Sequence, residues 1–357
     1  ARRTRHTKVR GLRCLSVAVL GARYRSTGEQ TQYGRANTAQ QEFHGRMIKN
    51  CSPGYNEQME EIAVPKDTIL WCEKALAERG DAFSNIIPLR VEASHRSFYR
   101  IETTRRTLVL MHSPPELERN EQFLVLADVF SQNGVPVPEI VATDRTRGFF
   151  LLTDLGRIHL GALYGTPAQS DALQAAIAML PRIAATQHQS IEPYTRERLH
   201  MELDIFSEWF AQKLLNQPLD LNLYTEMCGL LVASADLQPK GCVHRDYHCR
   251  NLLFNNQQLG IVDFQDALHG PILYDIASLL RDCYYEFSEP EVDQGLRDFV
   301  AITPQLADTD PAQIKTWFDL MAIQRQLKAV GIFARLHLRD AKSSHMQYNS
   351  SNTPISR

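Results

Sequence analysis

Residues 243–254 read Val243-His244-Arg245-Asp246-Tyr247-His248-Cys249-Arg250-Asn251-Leu252-Leu253-Phe254, and residues 261–266 read Ile261-Val262-Asp263-Phe264-Gln265-Asp266. The first stretch is H-R-D-x-x-x-x-N running into an apolar, strand-like segment. After a short turn a second apolar run ends in D-F. A hairpin between the two runs folds Asp263 back beside Asn251, so that Asp246, Asn251 and Asp263 share one rim. A lone D-x-x-x-x-N is a weak signal. Preceded by H-R, followed by a strand and then by D-F at this distance, it is a strong one.

Phosphoryl transfer from ATP accounts for that set. Such transfer needs positioning and charge neutralisation more than covalent chemistry from the protein. Asp246 can accept the proton of an attacking hydroxyl. Asn251 and Asp263 are hard oxygen donors suited to Mg²⁺ bridging the phosphates. His244 and Arg245 are then structural, tying the loop to its surroundings, and His248, Cys249 and Arg250 are turn packing. A zinc site from His244, His248 and Cys249 competes with this reading, but it lacks a fourth ligand at suitable spacing. No G-x-x-x-x-G-K-[ST] occurs, which excludes a P-loop nucleotide site. The small lobe has neither G-x-G-x-x-G nor V-A-I-K, and Gln265 follows D-F in place of glycine. A eukaryotic-type protein kinase is disfavoured on those grounds.

Working outward, residues 85–153 read as three strands, a helix and two strands. The strands are 86–92, 97–103, 106–113, 139–143 and 148–153, and an amphipathic helix over 116–133 stops at Gly134-Val135-Pro136-Val137-Pro138. Helical patterning begins near Lys66. After Asp154-Leu155-Gly156 the spacing predicts helices over 170–190, 196–215, 220–236, 272–284, 290–302 and 312–337, with strand-like material only near 242–264. The expected fold class is α+β, with a small β-rich N-lobe (61–154), a larger helical C-lobe (155–342) and a cleft at the junction near 152–156. Residues 1–60 are expected to form a basic, disordered tail and 343–357 a polar, disordered end.

Composition sets the outer bounds. With 43% hydrophobic and 22% charged residues among 357, the chain is ordinary globular protein, not disordered, collagen-like or coiled-coil. A net charge of −2 gives no global pull towards nucleic acid or an anionic membrane. The apolar run from Cys14 to Ala22 is too short to span a bilayer. Seven cysteines without a C-x-x-C read as free thiols in a reducing compartment, which points to the cytoplasm.

The segments HRDYHCRNLLF (244–254), GIVDFQDALHGPILYDIASLLRDCY (260–284) and FDLMAIQRQLKAVGIFARL (318–336) resemble the aminoglycoside phosphotransferase-like kinases. More narrowly, they resemble the bacterial N-acetylmuramate/N-acetylglucosamine anomeric kinases of peptidoglycan recycling. The resemblance covers about residues 66–342 and implies a protein-kinase-like, two-lobed fold with ATP and Mg²⁺ between the lobes. It implies Asp246 as catalytic base, Asn251 and Asp263 as metal ligands, and Asp275 as an acid supporting the catalytic loop. Thr153, Asp154 and Leu155 match a hinge whose backbone holds adenine. Arg96 and Arg100 match basic positions of a loop over the phosphates, residues 92–100. Gln324 and Arg325 fall on the substrate-side helix, where Arg suits the carboxylate of a muramic acid. Met111 stands where most of the superfamily has a phosphate-binding lysine, and Val91 where the phosphate loop usually has glycine.

The expected activity is phosphorylation of a small sugar at its anomeric C1 hydroxyl by a monomer with no nucleic-acid or membrane partner. The alternatives are another small acceptor (an aminoglycoside, choline or homoserine) and a pseudokinase-like binding module. Aminoglycosides and choline are cationic and call for an acidic pocket. The Arg325–Lys328–Arg335 stretch argues the other way, although the ordinary reading of such a run is a solvated helix face.

Overall fold

The computed structural model describes residues 64–89 and 95–340. The expected tail (1–60), the expected end (343–357) and Val91 lie outside them.

Helix α1 (Lys66–Ala77) precedes strands β1 (Phe83–Leu89), β2 (Ser97–Thr103) and β3 (Thr107–His112). Helix α2 (Asn120–Gln132) and strands β4 (Ile140–Asp144) and β5 (Phe149–Thr153) follow. The strands form one antiparallel sheet in the order β1-β2-β3-β5-β4. Alternation decides its two faces. Tyr99, Ile101, Leu108, Leu110 and Leu151 point to one side and close a core with Cys72 and Leu76 of α1. Met111 and Phe150 are cross-strand partners on the other side, where Phe150 meets Phe123 of α2 edge-on at 5.7 Å. Met111 is thus a core residue with no exposed surface.

The remaining elements are mostly helical. In order they are β6 (Ile158–His159), α3 (Gln169–Ala185), α4 (Arg196–Ile205), α5 (Leu221–Leu237), β7 (Lys240–Val243), β8 (Leu252–Asn255), β9 (Gln258–Ile261), β10 (Leu268–Pro271), α6 (Tyr274–Leu280), α7 (Glu289–Ala301) and α8 (Pro311–Asp340). The expected hairpin is β8–β9, turned by Asn256 and Gln257, both at positive φ (46° and 66°). Two left-handed residues in a two-residue loop match the right-handed twist of the flanking strands. Two strands escaped the sequence reading. β6 pairs with β8 and has only two residues, too few to show a period. β10 pairs with β7 and lies inside the span 268–271, where Gly270 and Pro271 weaken any strand signal.

The helix expected over 196–215 is α-helical only to Ile205 and continues as a wider π-helical segment, Phe206–Leu214. Its start lies against Gly331 of α8, where a Cβ would sit 2.6 Å from the Phe206 nitrogen. The two backbones are therefore in direct contact, and only glycine fits. Among the described residues no helix is long and apolar enough to cross a membrane.

Gly331→Ala is expected to destabilise the protein by about 1–3 kcal/mol, because the overlap is with backbone and cannot be relieved by a rotamer change. Urea unfolding checks this, and an unchanged midpoint would show that α8 can shift away at no cost.

Candidate active site

The H-R-D loop leaves β7 and is caught at once by α6. The Asp275 carboxylate accepts the backbone N–H of His244 at 2.6 Å and of Arg245 at 2.9 Å. Burial pushes the Asp275 carboxyl up to about 6, against the opposing pull of His244 and the two N–H groups. Arg245 is held at φ +76°, a left-handed conformation that turns the chain sharply before Asp246. His244 Nε2 donates to the carbonyl of Val262 at 3.0 Å and so ties the loop to the residue before Asp263. The Arg245 guanidinium reaches Glu202 Oε1 at 2.5 Å and donates to the Asp266 carbonyl at 3.1 Å. Tyr194 donates its hydroxyl to the other oxygen of Glu202.

This frame places Asp246, Asn251 and Asp263 together. Asn251 Nδ2 donates to the Asp246 carbonyl at 2.9 Å and approaches Asp263 Oδ2 at 3.4 Å, so its amide oxygen is left to ligate. Val262 N donates to the Asn251 carbonyl at 3.0 Å, and Asp263 follows at φ +66°. Gln265, in the position where protein kinases carry glycine, donates its amide to Asp263 Oδ1 at 2.7 Å and fixes the carboxylate's orientation. Water reaches Asp263, yet protein surrounds much of it. That desolvation, followed by the charge of Asp246, raises the Asp263 carboxyl above its ordinary value.

Desolvation would raise Asp246 too, but the charges of Lys328 and Arg245, with a smaller one from Arg325, outweigh it and hold the carboxyl well below the usual range. A cation shared by Asn251 and Asp263 fits this donor set, since it would relieve the carboxylate crowding. Among the described residues there is no group of three or more His, Cys, Asp or Glu able to hold a metal alone. The oxygen donors of Asn251 and Asp263 suit a hard cation that takes the rest of its shell from water or phosphate. The loop does not suit zinc: burial raises the Cys249 thiol far above its ordinary value, and His244 Nε2 is taken by Val262.

The two expected substrate-side residues differ in placement. Gln324 is fully buried and its amide donates to the Leu199 carbonyl of α4 at 3.0 Å, so it joins two helices. Arg325 is also buried, near Asp282 and Cys283, but its Nη1 has no hydrogen-bond partner among the described residues. His248 packs edge-on against Tyr284 at 5.3 Å, and burial lowers its imidazole to about 4, leaving it neutral. Lys328, one turn beyond Gln324, lies 4.0 Å from Asp246 Oδ1. The sequence reading took it only as part of a basic stretch whose ordinary reading is a solvated helix face, whereas Arg325 and Lys328 are buried. The available signal was spacing: Phe318, Met321, Arg325, Lys328 and Gly331 recur every three or four residues, which places both cations on the apolar stripe.

The basic residues of the small lobe also have defined partners. Arg100 is not in a loop; it lies in β2 and clamps Asp154 with two hydrogen bonds, at 2.7 and 3.2 Å, while also donating to the Gly156 carbonyl at 2.9 Å. The Thr153 hydroxyl accepts the Glu139 N–H at 2.9 Å. Leu155 packs on Gly260, where a Cβ would come within 2.6 Å of it. Arg96 is buried, bonds Ser113 Oγ at 3.1 Å, pairs with Glu118 at 3.4 Å and lies 5.5 Å over the Phe123 ring. Phe123 stacks on Phe264 of the D-F pair at 5.2 Å, which joins the sheet lobe to the loop.

Asp275→Ala would strand two buried N–H groups, each worth about 1–3 kcal/mol. A loss of about 2–6 kcal/mol in chemical denaturation is expected, with Asp275→Asn intermediate because it keeps one acceptor. A shift below 1 kcal/mol for the alanine variant would mean that the loop finds other acceptors.

Comparison with known proteins fits this geometry. The chain is 36% identical over 277 residues to an N-acetylmuramate/N-acetylglucosamine kinase of Pseudomonas aeruginosa, covering 74% of this chain and 80% of that one. It is 34% identical over 270 residues to the protein of the same name from Neisseria meningitidis serogroup B, covering 71% and 79%. The fold is similar to the crystal structure of an ADP-bound aminoglycoside phosphotransferase, with a TM-score of 0.56 at 13% identity over 80% of this chain and 95% of the other. Residues 85–330 match the phosphotransferase enzyme family, and the protein belongs to it.

Proposed function

We propose that the protein is an ATP- and Mg²⁺-dependent kinase that phosphorylates the anomeric C1 hydroxyl of N-acetylmuramate or N-acetylglucosamine. The observation that carries this reading is the rim of Asp246, Asn251 and Asp263, held by the Asp275-anchored loop. It is supported by relatives named for those two sugars.

In this reading Asp246 takes the proton of the acceptor hydroxyl. An anomeric hydroxyl is more acidic than other sugar hydroxyls, so a carboxylate base suffices for it. Asn251 Oδ1 and the Asp263 carboxylate hold the metal, which when bound neutralises charge on the phosphate oxygens. The side chains of Thr153, Asp154 and Leu155 are engaged with protein, so adenine recognition falls to the backbone of 153–155. Arg96, whose charge acts on Asp263, is assigned to the phosphates. Arg100 acts indirectly, by stiffening that hinge.

The acceptor side favours an anionic or neutral sugar. Lys328 and Arg325 both act on Asp246 electrostatically, and a cationic aminoglycoside or choline would meet like charge there. The open Nη1 of Arg325 suits a sugar carboxylate. The free thiols of Cys72, Cys228, Cys242, Cys249 and Cys283 accord with action in the cytoplasm.

Asp246→Asn is expected to lower turnover by about 10²–10⁴-fold with ATP binding retained. An assay against N-acetylmuramate, N-acetylglucosamine, kanamycin and choline tests the substrate, and product NMR should show phosphorus coupled to H1. Preference for a cationic acceptor, or coupling to the C6 protons, would overturn the assignment. Asp263→Ala should raise the Mg²⁺ requirement more than Asn251→Ala, since it removes charge as well as a ligand. A titration with equal midpoints in parent and both variants would remove these two residues from the metal site.

A further inference from the structure

Lys328 is a buried ammonium group on α8, and only 6% of its surface is exposed. Lysines are rarely buried without partners, because desolvating the charge is costly. Three oxygens surround its Nζ: the Tyr274 hydroxyl at 3.4 Å, Glu202 Oε1 at 3.5 Å and Asp246 Oδ1 at 4.0 Å. An ammonium has three N–H donors, so the partners match its capacity.

The three partners are not equivalent. Tyr274 is fully buried beside Asp275. Glu202 is already fixed by Arg245 and Tyr194. Asp246 alone keeps substantial surface open, with 38% of its side chain exposed. Arg245 is committed to Glu202 and the Asp266 carbonyl, and Arg325 acts on Asp246 less strongly than Lys328 or Arg245. His248 is neutral. Lys328 therefore has two fixed oxygens behind it and one carboxylate with freedom to move in front. Burial would discharge it, but Asp246 and Glu202 outweigh burial and raise its affinity for the proton, so it remains an ammonium.

We propose that Lys328 is a positioning residue for the reaction, tethering the Asp246 carboxylate from α8 so that it stays aimed at the acceptor hydroxyl. The proposal rests on Asp246 being the base. It assigns to α8 a part in the chemical step as well as in the wall of the C-lobe. Removing the ammonium leaves Glu202 with Arg245 and Tyr194, so the loss falls on Asp246. An ordinary buried ion pair would instead act on stability.

The test is Lys328→Met, which preserves length and apolar contact while removing the charge. Loss of orientation at a reacting group should lower kcat by about 10–10²-fold. The KM for ATP and for the sugar should stay within about threefold of the parent, with nucleotide binding intact. In the Asp246→Asn background the same substitution should add less than about twofold, because two residues acting through one interaction are not additive. A kcat within about twofold of the parent would overturn the proposal, as would effects that multiply in the double variant. If Lys328→Met does not fold, Lys328→Gln carries the same expectations, since it keeps a donor without the charge. The two readings fail separately. Near-native turnover in Asp246→Asn removes the base assignment itself, whereas an inactive Asp246→Asn beside a normal Lys328→Met removes only the tether.

Discussion

The Asp275 carboxylate, accepting two successive backbone N–H groups, is the constraint on which the site depends. It holds Arg245 in a left-handed conformation that an unsupported arginine would avoid. Such strain costs of order 1–3 kcal/mol, while hydrogen bonds to a charged group contribute about 1.5–3 kcal/mol each. Two such bonds outweigh the strain. With Arg245 fixed, its side chain is directed to Glu202, the His244 ring reaches Val262, and Asp246 emerges between them. Removing the anchor would therefore disturb both contacts and the placement of Asp246 at once.

Electrostatics divide the site into two sides. On the helical side, Glu202 and Asp246 face Arg245 and Lys328, a set balanced in charge and mostly withdrawn from water. On the other side Asp263 faces Asp246 with little cationic compensation, and its carboxyl is correspondingly harder to ionise. The protein thus satisfies one carboxylate internally and leaves the other suited to an external cation. That division follows from which residues sit on α8 and α4, and it is a property of packing more than of the motif.

Much of this was legible in the sequence, and the reasons are physical. The β2 alternation, the hairpin after Asn251 and the α2 stop at Gly134 are local signals, and those elements lie within a few residues of their expected positions. The H-R-D-x-x-x-x-N and D-F spacing placed Asp246, Asn251 and Asp263 side by side because the β8–β9 turn fixes their separation. Distant pairings were not legible. Glu202 meets Arg245 across 43 positions and Gln324 meets Leu199 across 125. Arg100 reads as one more basic residue until the hinge Asp154 lies beside it. The π-helical segment begins where Gly331, more than a hundred residues away, lets α8 approach its backbone, a contact that its own sequence does not announce.

Where the chain departs from kinase-like patterns, neighbouring elements supply fixed polar contacts. Met111 offers no charge, and its buried place beside Phe150 would not tolerate one without a partner. Arg96 lies just before β2, where Ser113, Glu118 and the Phe123 ring surround a buried guanidinium. Its charge lowers the proton affinity of Asp263, so the two lie within electrostatic reach. Gln265 replaces a glycine whose value is flexibility, and it contributes a donor that holds Asp263. Both replacements exchange mobility for fixed polar contacts. Phe264 against Phe123 joins the sheet lobe to the loop, and Arg100 clamps the hinge at Asp154.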